Sequence, residues 1–202
     1  MDEEAYFEKV KNWNLRKDYQ KDLDMISLLT NYCLSQDVSK DLHLIGTGLG
    51  SDIDSITKYK KLNSIVGIEP IKKFYENARP KYQQLGASIL NFSLGEFASK
   101  NKELSGIFVF SHSINHINND ELKKFKKILK KSFLIIINPN PEFPKRFGKS
   151  DDTVIYYLSS NEIARLLNCK IIFDFFYNLV DIKGETIFVR NAIVLQTNDF
   201  PS

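Results

Sequence analysis

The pattern of hydrophobic and polar positions predicts two helices at the start of the chain. Helical spacing of apolar residues covers Ala5 to Trp13 and then Lys17 to about Gln36. The second helix carries an apolar stripe formed by Leu23, Ile26, Leu29 and Cys33. Both predicted helices are amphipathic, so each needs a partner surface on the rest of the protein.

Short apolar runs bounded by turn residues then predict seven strands. They are Leu42–Ile45, Ser64–Glu69, Ser88–Phe92, Gly106–Phe110, Phe133–Ile137, Lys170–Val180 and Ile187–Gln196. Helical patterns separate the first five strands and precede the sixth, which is typical of a parallel sheet covered by helices on both faces. Only Asp181–Glu185 joins the last two strands, so they form a hairpin and one of them runs antiparallel. The pattern predicts a single α/β domain.

Two further segments bear on the architecture. The lysine-rich stretch from Asp120 to Lys131 is predicted to be one helix with Leu122, Phe125, Ile128 and Leu129 on its buried face. The stretch from Asn138 to Asp152 contains three prolines and is predicted to be a loop. Loops of this length in a compact domain are commonly functional.

Composition and charge narrow the class of protein. Hydrophobic residues make up 43% and charged residues 26% of the 202 residues, which argues against disorder. No run approaches the roughly 18 apolar residues of a membrane span, and the acidic start is unlike a signal peptide. A formal net charge of +3 does not require a polyanionic partner, and two distant cysteines form no metal-site pattern. We therefore expect a cytoplasmic protein without a membrane, nucleic-acid or metal partner.

The most informative stretch is the turn after the first strand, where Gly46, Gly48 and Gly50 stand at alternate positions. Glycines there allow positive φ angles and let a ligand approach the backbone. Glu69 ends the next strand, about 20 residues on, where a carboxylate can accept hydrogen bonds from two ribose hydroxyls. An NAD fingerprint would place its third small residue at Ser51, whereas this pattern is G-x-G-x-G. The alternative is that the glycines only form a turn.

This glycine pattern, followed by Glu69, resembles the first two motifs of class I S-adenosylmethionine (SAM)-dependent methyltransferases. The resemblance covers Asp41 to Thr197, since that family has a seven-stranded, mostly parallel sheet ending in an antiparallel hairpin. It implies a three-layer Rossmann-like fold with SAM as the cofactor. Residues 1–40 are similar to the N-terminal helical extension that many small methyltransferases fold over the substrate side.

The resemblance also assigns roles to individual residues. Gly46, Thr47, Gly48 and Gly50 would wrap the methionine part of SAM, and Glu69 would bind its ribose. Pro70 or Ile71 would lie beside the adenine. Ser93 would contact the adenine amino group, although Ser93 and Glu96 also match a helix capping box. Ser111 and His112 match the segment beside the transferable methyl, and an imidazole is the best candidate for a general base.

Two positions depart from the family pattern. The acidic residue expected two positions before the first glycine is replaced by Leu44, and Asp52 is the candidate substitute. The sequence Asn138-Pro139-Asn140-Pro141 resembles the Asn-Pro-Pro-aromatic motif of amide and adenine methyltransferases. It follows strand five instead of strand four and departs at Asn140, so we interpret it as part of the loop.

The function implied is methyl transfer to nitrogen or oxygen of a small molecule or a peptide group by in-line displacement. Tyr19, Tyr156 and Tyr157 are candidates for the substrate wall. The glycine turn with its acidic helix start and the stretch from Asp151 to Ser159 are faintly similar to histamine-type small-molecule N-methyltransferases. Two alternatives remain open. One is an NAD(P)-dependent oxidoreductase, and the other is a methyltransferase-like protein that binds without catalysing.

Overall fold

The computed structural model describes residues 3–14, 19–56, 62–139, 158–180 and 186–200. The α-helices in these ranges are α1 (Glu3–Asn14), α2 (Tyr19–Leu34), α3 (Asp52–Ile56), α4 (Lys72–Gln84), α5 (Leu94–Lys100), α6 (Asn119–Ile128) and α7 (Ser160–Leu167). A short 3-10 helix covers Ile114–His116. Within the same ranges, no helix is long and apolar enough to cross a membrane.

The strands form one seven-stranded sheet in the order β3-β2-β1-β4-β5-β7-β6. They are β1 (Asp41–Ile45), β2 (Ser64–Ile68), β3 (Ser88–Leu90), β4 (Leu104–Ser111), β5 (Leu129–Pro139), β6 (Cys169–Val180) and β7 (Thr186–Thr197). The first five strands pair in parallel, and β7 pairs antiparallel with both β5 and β6. The predicted mostly parallel sheet with an antiparallel terminal hairpin is confirmed.

Strand β5 is longer than the sequence pattern predicted, at both of its ends. Leu129 and the two lysines after it belong to β5, so the prediction that they continue the preceding helix is wrong. Asn138 and Pro139 also belong to β5, although we interpreted them as loop. The physical reason is pairing with neighbouring strands, since Leu104 opposes Leu129 and Asn191 opposes Asn138. Such long-range pairing overrides the local pattern.

Each face of the sheet is covered by helices, which gives the three layers of a Rossmann-like fold. Alternate side chains of β5 point to opposite faces, as the two-residue period of a strand requires. Phe133, Ile135 and Ile137 pack in a cluster with residues of α2, α3 and α4. Leu134 and Ile136 pack in a second cluster with residues of α5, α6 and α7.

Helix α2 packs on one face of the sheet, and helix α1 lies against segments that follow two of the strands. In α2, Ile26, Leu29 and Cys33 are buried in the cluster below it. Helix α1 is held by aromatic contacts, because Phe7 stacks on Phe74 of α4 with ring centroids 5.2 Å apart. Tyr6 lies edge-on to the same ring and also contacts His116. Helix α1 thus contacts segments that follow β2 and β4.

Candidate functional site

The glycine turn after β1 adopts the conformation that its sequence predicts. Gly46, Gly48 and Gly50 have φ angles of +70°, +52° and +72°, a region that other residues rarely adopt. A Cβ added to Gly46 would lie 2.5 Å from Cβ of Ser113, whereas one added to Gly48 would meet nothing within 4 Å. Gly46 therefore permits close packing of two loops, and Gly48 faces open space.

Glu69 connects the glycine turn to the end of β2. Its Oε2 accepts a hydrogen bond of 2.7 Å from the backbone N–H of Gly48, and its Oε1 accepts one of 2.9 Å from Ile71. The side chain is only 3% exposed. Burial raises the pKa of Glu69 to about 7, and the two backbone hydrogen bonds oppose that rise. The predicted partnership of glycine turn and acidic strand end is present, with a carboxyl group that titrates near neutral pH.

The remaining residues predicted to bind the cofactor lie along the same edge of the sheet. Asp52 is buried at the start of α3, close to the turn, while Leu44 is fully in the core. Pro70 is exposed and Ile71 is half-buried beyond Glu69. The side chain of Ser93 accepts a hydrogen bond from the N–H of Glu96 as the N-cap of α5. The capping role that we left open for Ser93 is therefore observed.

The end of β4 brings His112 to the edge of the sheet. Ser111 is the last residue of the strand and is buried. His112 follows with a φ of +58°, and its N–H donates a 2.8 Å hydrogen bond to the carbonyl of Ile137 on β5. The left-handed conformation turns the chain out of the sheet at this point. His116, one turn further on, is half-buried and packs against Tyr6.

A buried carboxylate that sequence reasoning missed holds the ring of His112. Asp22 of α2 is completely buried, and its Oδ2 lies 2.8 Å from Nε2 of His112. The hydroxyl of Tyr177 on β6 donates to Oδ1 of the same carboxylate. Nε of Arg190 on β7 lies 3.5 Å from Oδ2, and Arg190 is only 1% exposed. Three other segments of the chain therefore supply side chains around the carboxylate of α2, and we call these four residues the Asp22 cluster.

The charge state of Asp22 follows from these contacts. Burial by itself raises the pKa of Asp22, but the charge and hydrogen bond of His112, the charge of Arg190 and the hydroxyl of Tyr177 outweigh it. The pKa of Asp22 therefore lies below its ordinary value, and the group is an ionised carboxylate that can only accept hydrogen bonds. Nε2 of His112 must then carry the hydrogen between the two side chains. Burial, together with the charge of Asp22, raises the pKa of Tyr177.

The sequence did contain a signal for Asp22. Four of the buried residues of α2, namely Asp22, Ile26, Leu29 and Cys33, are spaced by four, three and four positions and so share one face of the helix. Our predicted stripe began at Leu23, which is only half-buried. A carboxylate on the apolar face of a helix requires a buried partner. That requirement could have identified Asp22 as a candidate, although not its partners.

The predicted substrate residues are not tested by the structure. Tyr156 and Tyr157 lie outside the described residues, and nothing is described of the side chain of Tyr19 beyond its place at the start of α2. Among the described residues there is no group of three or more histidine, cysteine, aspartate or glutamate side chains suited to a metal ion.

Several buried polar atoms near the ends of β4 and β5 have no hydrogen-bond partner among the described residues. They are Oγ of Ser111, Oγ of Ser113, Oδ1 of Asn115 and both side-chain amide atoms of Asn138. A buried polar group without a partner costs free energy that a bound ligand or water can restore. The open space at Gly48 and these polar atoms together fit a polar ligand at the carboxyl edge of the sheet.

Several solved structures with the same architecture are described as methyltransferases. The methyltransferase domain of bacterial CtHen1 matches with a TM-score of 0.63 and 17% identity, over 90% of this chain and 99% of that domain. A SAM-dependent methyltransferase from Clostridium acetobutylicum ATCC 824 has a TM-score of 0.63 and 14% identity, over 96% of each chain. The N-methyltransferase NodS from Bradyrhizobium japonicum WM9 has a TM-score of 0.63 and 12% identity, over 91% of this chain and 98% of its own.

Sequence comparisons add nothing to this likeness, since no family model and no curated protein matches the chain. At such low identities the structural matches establish the fold alone. The chain has the class I methyltransferase fold, and the resemblance inferred from its sequence is confirmed at that level.

Proposed function

We propose that this protein is a SAM-dependent methyltransferase acting on nitrogen or oxygen of a small molecule or peptide group. The single observation that carries the proposal is the hydrogen bond from the N–H of Gly48 to Glu69. It joins the glycine turn to a buried carboxylate on a sheet of the class I methyltransferase order. The methyltransferase descriptions of the similar structures support the same cofactor.

The cofactor would lie over the glycine turn. The open space at Gly48 would receive its methionine part, and Glu69 would accept hydrogen bonds from the ribose hydroxyls with the lone pairs left by its two backbone partners. Asp52, buried at the start of α3, is the carboxylate nearest in sequence to the position held by Leu44. When bound, SAM supplies an activated methyl group, so the protein needs mainly to hold an acceptor in line with it.

His112 is the proposed general base. Because its Nε2 donates to Asp22, the nitrogen that would take a proton from an acceptor is Nδ1. Asp22 would keep the ring in that tautomer and orientation. We further propose that the chain is one domain in which residues 1–40 cover the substrate side. The link from α2 to His112 supports this arrangement.

A second candidate function is a methyltransferase-like protein that binds SAM without catalysing. One observation favours it, since the position of the family's acidic residue is held by Leu44, which is 1% exposed in the core. Nothing comparable favours an NAD(P)-dependent oxidoreductase, because the third small residue of its fingerprint would fall at Ser51, one position after Gly50.

The decisive experiment is calorimetric titration of the purified protein with SAM, its demethylated product and NADH, side by side. We expect binding of the first two and none of NADH. Transfer of labelled methyl from SAM to small molecules and peptides of a cell extract then separates the two candidate functions. Tight NADH binding without a response to either SAM compound would refute the cofactor. Binding of SAM with no labelled acceptor would favour the non-catalytic protein.

A further inference from the structure

Strand β6 is a long strand at one edge of the sheet. Within the described ranges it pairs with β7 only, so its outer side presents backbone N–H and C=O groups without a strand partner. The other edge strand, β3, has three residues, whereas β6 has twelve. Short edges and charged side chains are the usual protection of an edge strand against pairing with another chain. From Ile171 to Tyr177 the only charged residue of β6 is Asp174, so β6 has little of this protection.

Exposed apolar side chains collect at this edge of the sheet. The described part of the chain has four large hydrophobic side chains that are exposed, namely Leu28, Leu85, Phe173 and Phe176. The last two lie on β6. Tyr32 of α2 contacts Phe173 edge-on with ring centroids 4.8 Å apart, and Leu28 lies one turn before Tyr32 on the same side of the helix. By strand alternation Phe176 points to the opposite face of the sheet from Phe173. Apolar surface therefore flanks the edge on both faces.

The regular part of β6 is symmetric about one residue. The pairing of β6 with β7 shifts its register between Ile171 and Phe173, and again between Leu179 and Val180. The uninterrupted stretch is therefore Phe173–Leu179, seven residues long, with Phe176 in its middle. A strand that pairs with a copy of itself needs such a regular stretch on both sides of the symmetry axis.

The sequence of this stretch is compatible with self-pairing. Two identical strands related by a two-fold axis run antiparallel. With the axis at Phe176, Phe175 of one copy opposes Tyr177 of the other, and pairs of aromatic side chains stabilise antiparallel strands. Asp174 then opposes Asn178, so the two carboxylates do not face each other. An axis at Asp174 would place them directly opposite, which is destabilising.

The area of this edge sets the strength of the contact. Seven residues of strand extend about 24 Å, and the sheet with one helix layer is about 20 Å thick. A contact of that size covers about 500 Å² on each copy, or about 1,000 Å² in total, which is at the low end for a specific interface. The contact should therefore form and dissociate reversibly with protein concentration.

We propose that the protein forms a two-fold symmetric dimer in which β6 of one copy pairs antiparallel with β6 of the second copy. The two seven-stranded sheets then become one continuous sheet. A partner that offered only apolar side chains would cover Phe173 and Phe176 but leave the backbone groups of the edge unpaired, whereas a second β6 satisfies both. This inference does not depend on the methyltransferase function.

The first test is sedimentation equilibrium of the full chain over a wide range of protein concentration. We expect a reversible equilibrium between monomer and dimer. Phe176→Lys places two ammonium groups at the axis and should raise the dissociation constant of the dimer roughly thirtyfold or more. The matched control is Leu85→Lys, a change at an exposed apolar residue that follows α4, and it should associate as the parent does. A parent that stays monomeric would overturn the proposal and leave β6 to a strand of a different protein. Parental association of Phe176→Lys would overturn it as well.

The second test checks the register by cross-linking in a chain whose Cys169 is replaced by serine. Opposed residues of antiparallel strands have Cα atoms about 4.5–5.5 Å apart, which a disulfide can span. Phe176→Cys should therefore form an intermolecular disulfide on mild oxidation, whereas Leu85→Cys should not. The remaining Cys33 is buried and should give no background. Equal cross-linking of the two variants, or none with Phe176→Cys, would refute the pairing of β6 with itself.

Discussion

Replacing Glu69 by glutamine tests the electrostatics of the glycine turn. Burial raises the pKa of Glu69 from 4.5 to about 7. Because the folded value is the higher one, the folded protein binds more protons than the unfolded chain between these pH values. The free energy of unfolding therefore falls as pH rises through this interval. A difference of about 2.5 pKa units corresponds to about 3 kcal/mol, most of it between about pH 5 and about pH 8.

The substitution Glu69→Gln removes the titratable carboxyl group and keeps the shape of the side chain. At about pH 5 the variant should be less stable by about 1–3 kcal/mol, because its amide can satisfy only one of the two backbone N–H groups. Between about pH 5 and about pH 8 the variant should gain about 2–3 kcal/mol relative to the parent. Burial also lowers the pKa of His43 to about 4, which opposes the pH trend of the parent. His43 is present in both proteins, so its contribution cancels in the comparison.

The assay is urea unfolding of parent and variant at both pH values, with calorimetry of the demethylated product in parallel. Ribose hydroxyls donate to the ionised carboxylate, so the affinity of the parent should rise about tenfold from about pH 6 to about pH 8. The variant should bind more weakly and without that dependence. If the difference in free energy of unfolding between parent and variant does not change with pH, folding does not raise the pKa of Glu69 and the reasoning is wrong.

Three further predictions follow from the same edge of the sheet. Gly46→Ala should melt well below the parent, because its Cβ would lie 2.5 Å from Ser113. Gly48→Ala should lose only about 1–2 kcal/mol of stability through backbone strain and should still bind SAM more weakly. Equal melting temperatures of the two variants would contradict the geometry. Asp22→Asn should lower the free energy of unfolding in urea by about 3–5 kcal/mol at neutral pH, and since the pKa of Asp22 is lowered by folding, this difference should shrink as pH falls below about 4. A pH-independent difference would argue against an ionised group. His112→Ala should slow methyl transfer about 10²–10⁴-fold with SAM affinity nearly unchanged, and a smaller loss would make the ring a wall of the pocket.

The sequence determined the features that depend on neighbouring residues. A turn with positive φ angles is predicted by Gly46, Gly48 and Gly50, because only glycine adopts such angles without strain. The start of α5 is predicted by the pair Ser93 and Glu96, since a capping box depends only on residues three positions apart. The order of apolar runs predicted the sheet and its terminal hairpin, because a strand that is buried on both faces is apolar whichever strands pair with it.

Only the tertiary structure decided where β5 begins and ends and what surrounds His112. Leu129 fits the pattern of a helix as well as that of a strand, and its pairing with Leu104 places it in β5. Asp22, Tyr177 and Arg190 lie up to 168 residues apart in sequence, which is the separation of 190 from 22. No local pattern links them. They meet because helix α2 and strands β6 and β7 pack at one edge of the sheet, and a buried charge is tolerated only where such packing supplies its partners.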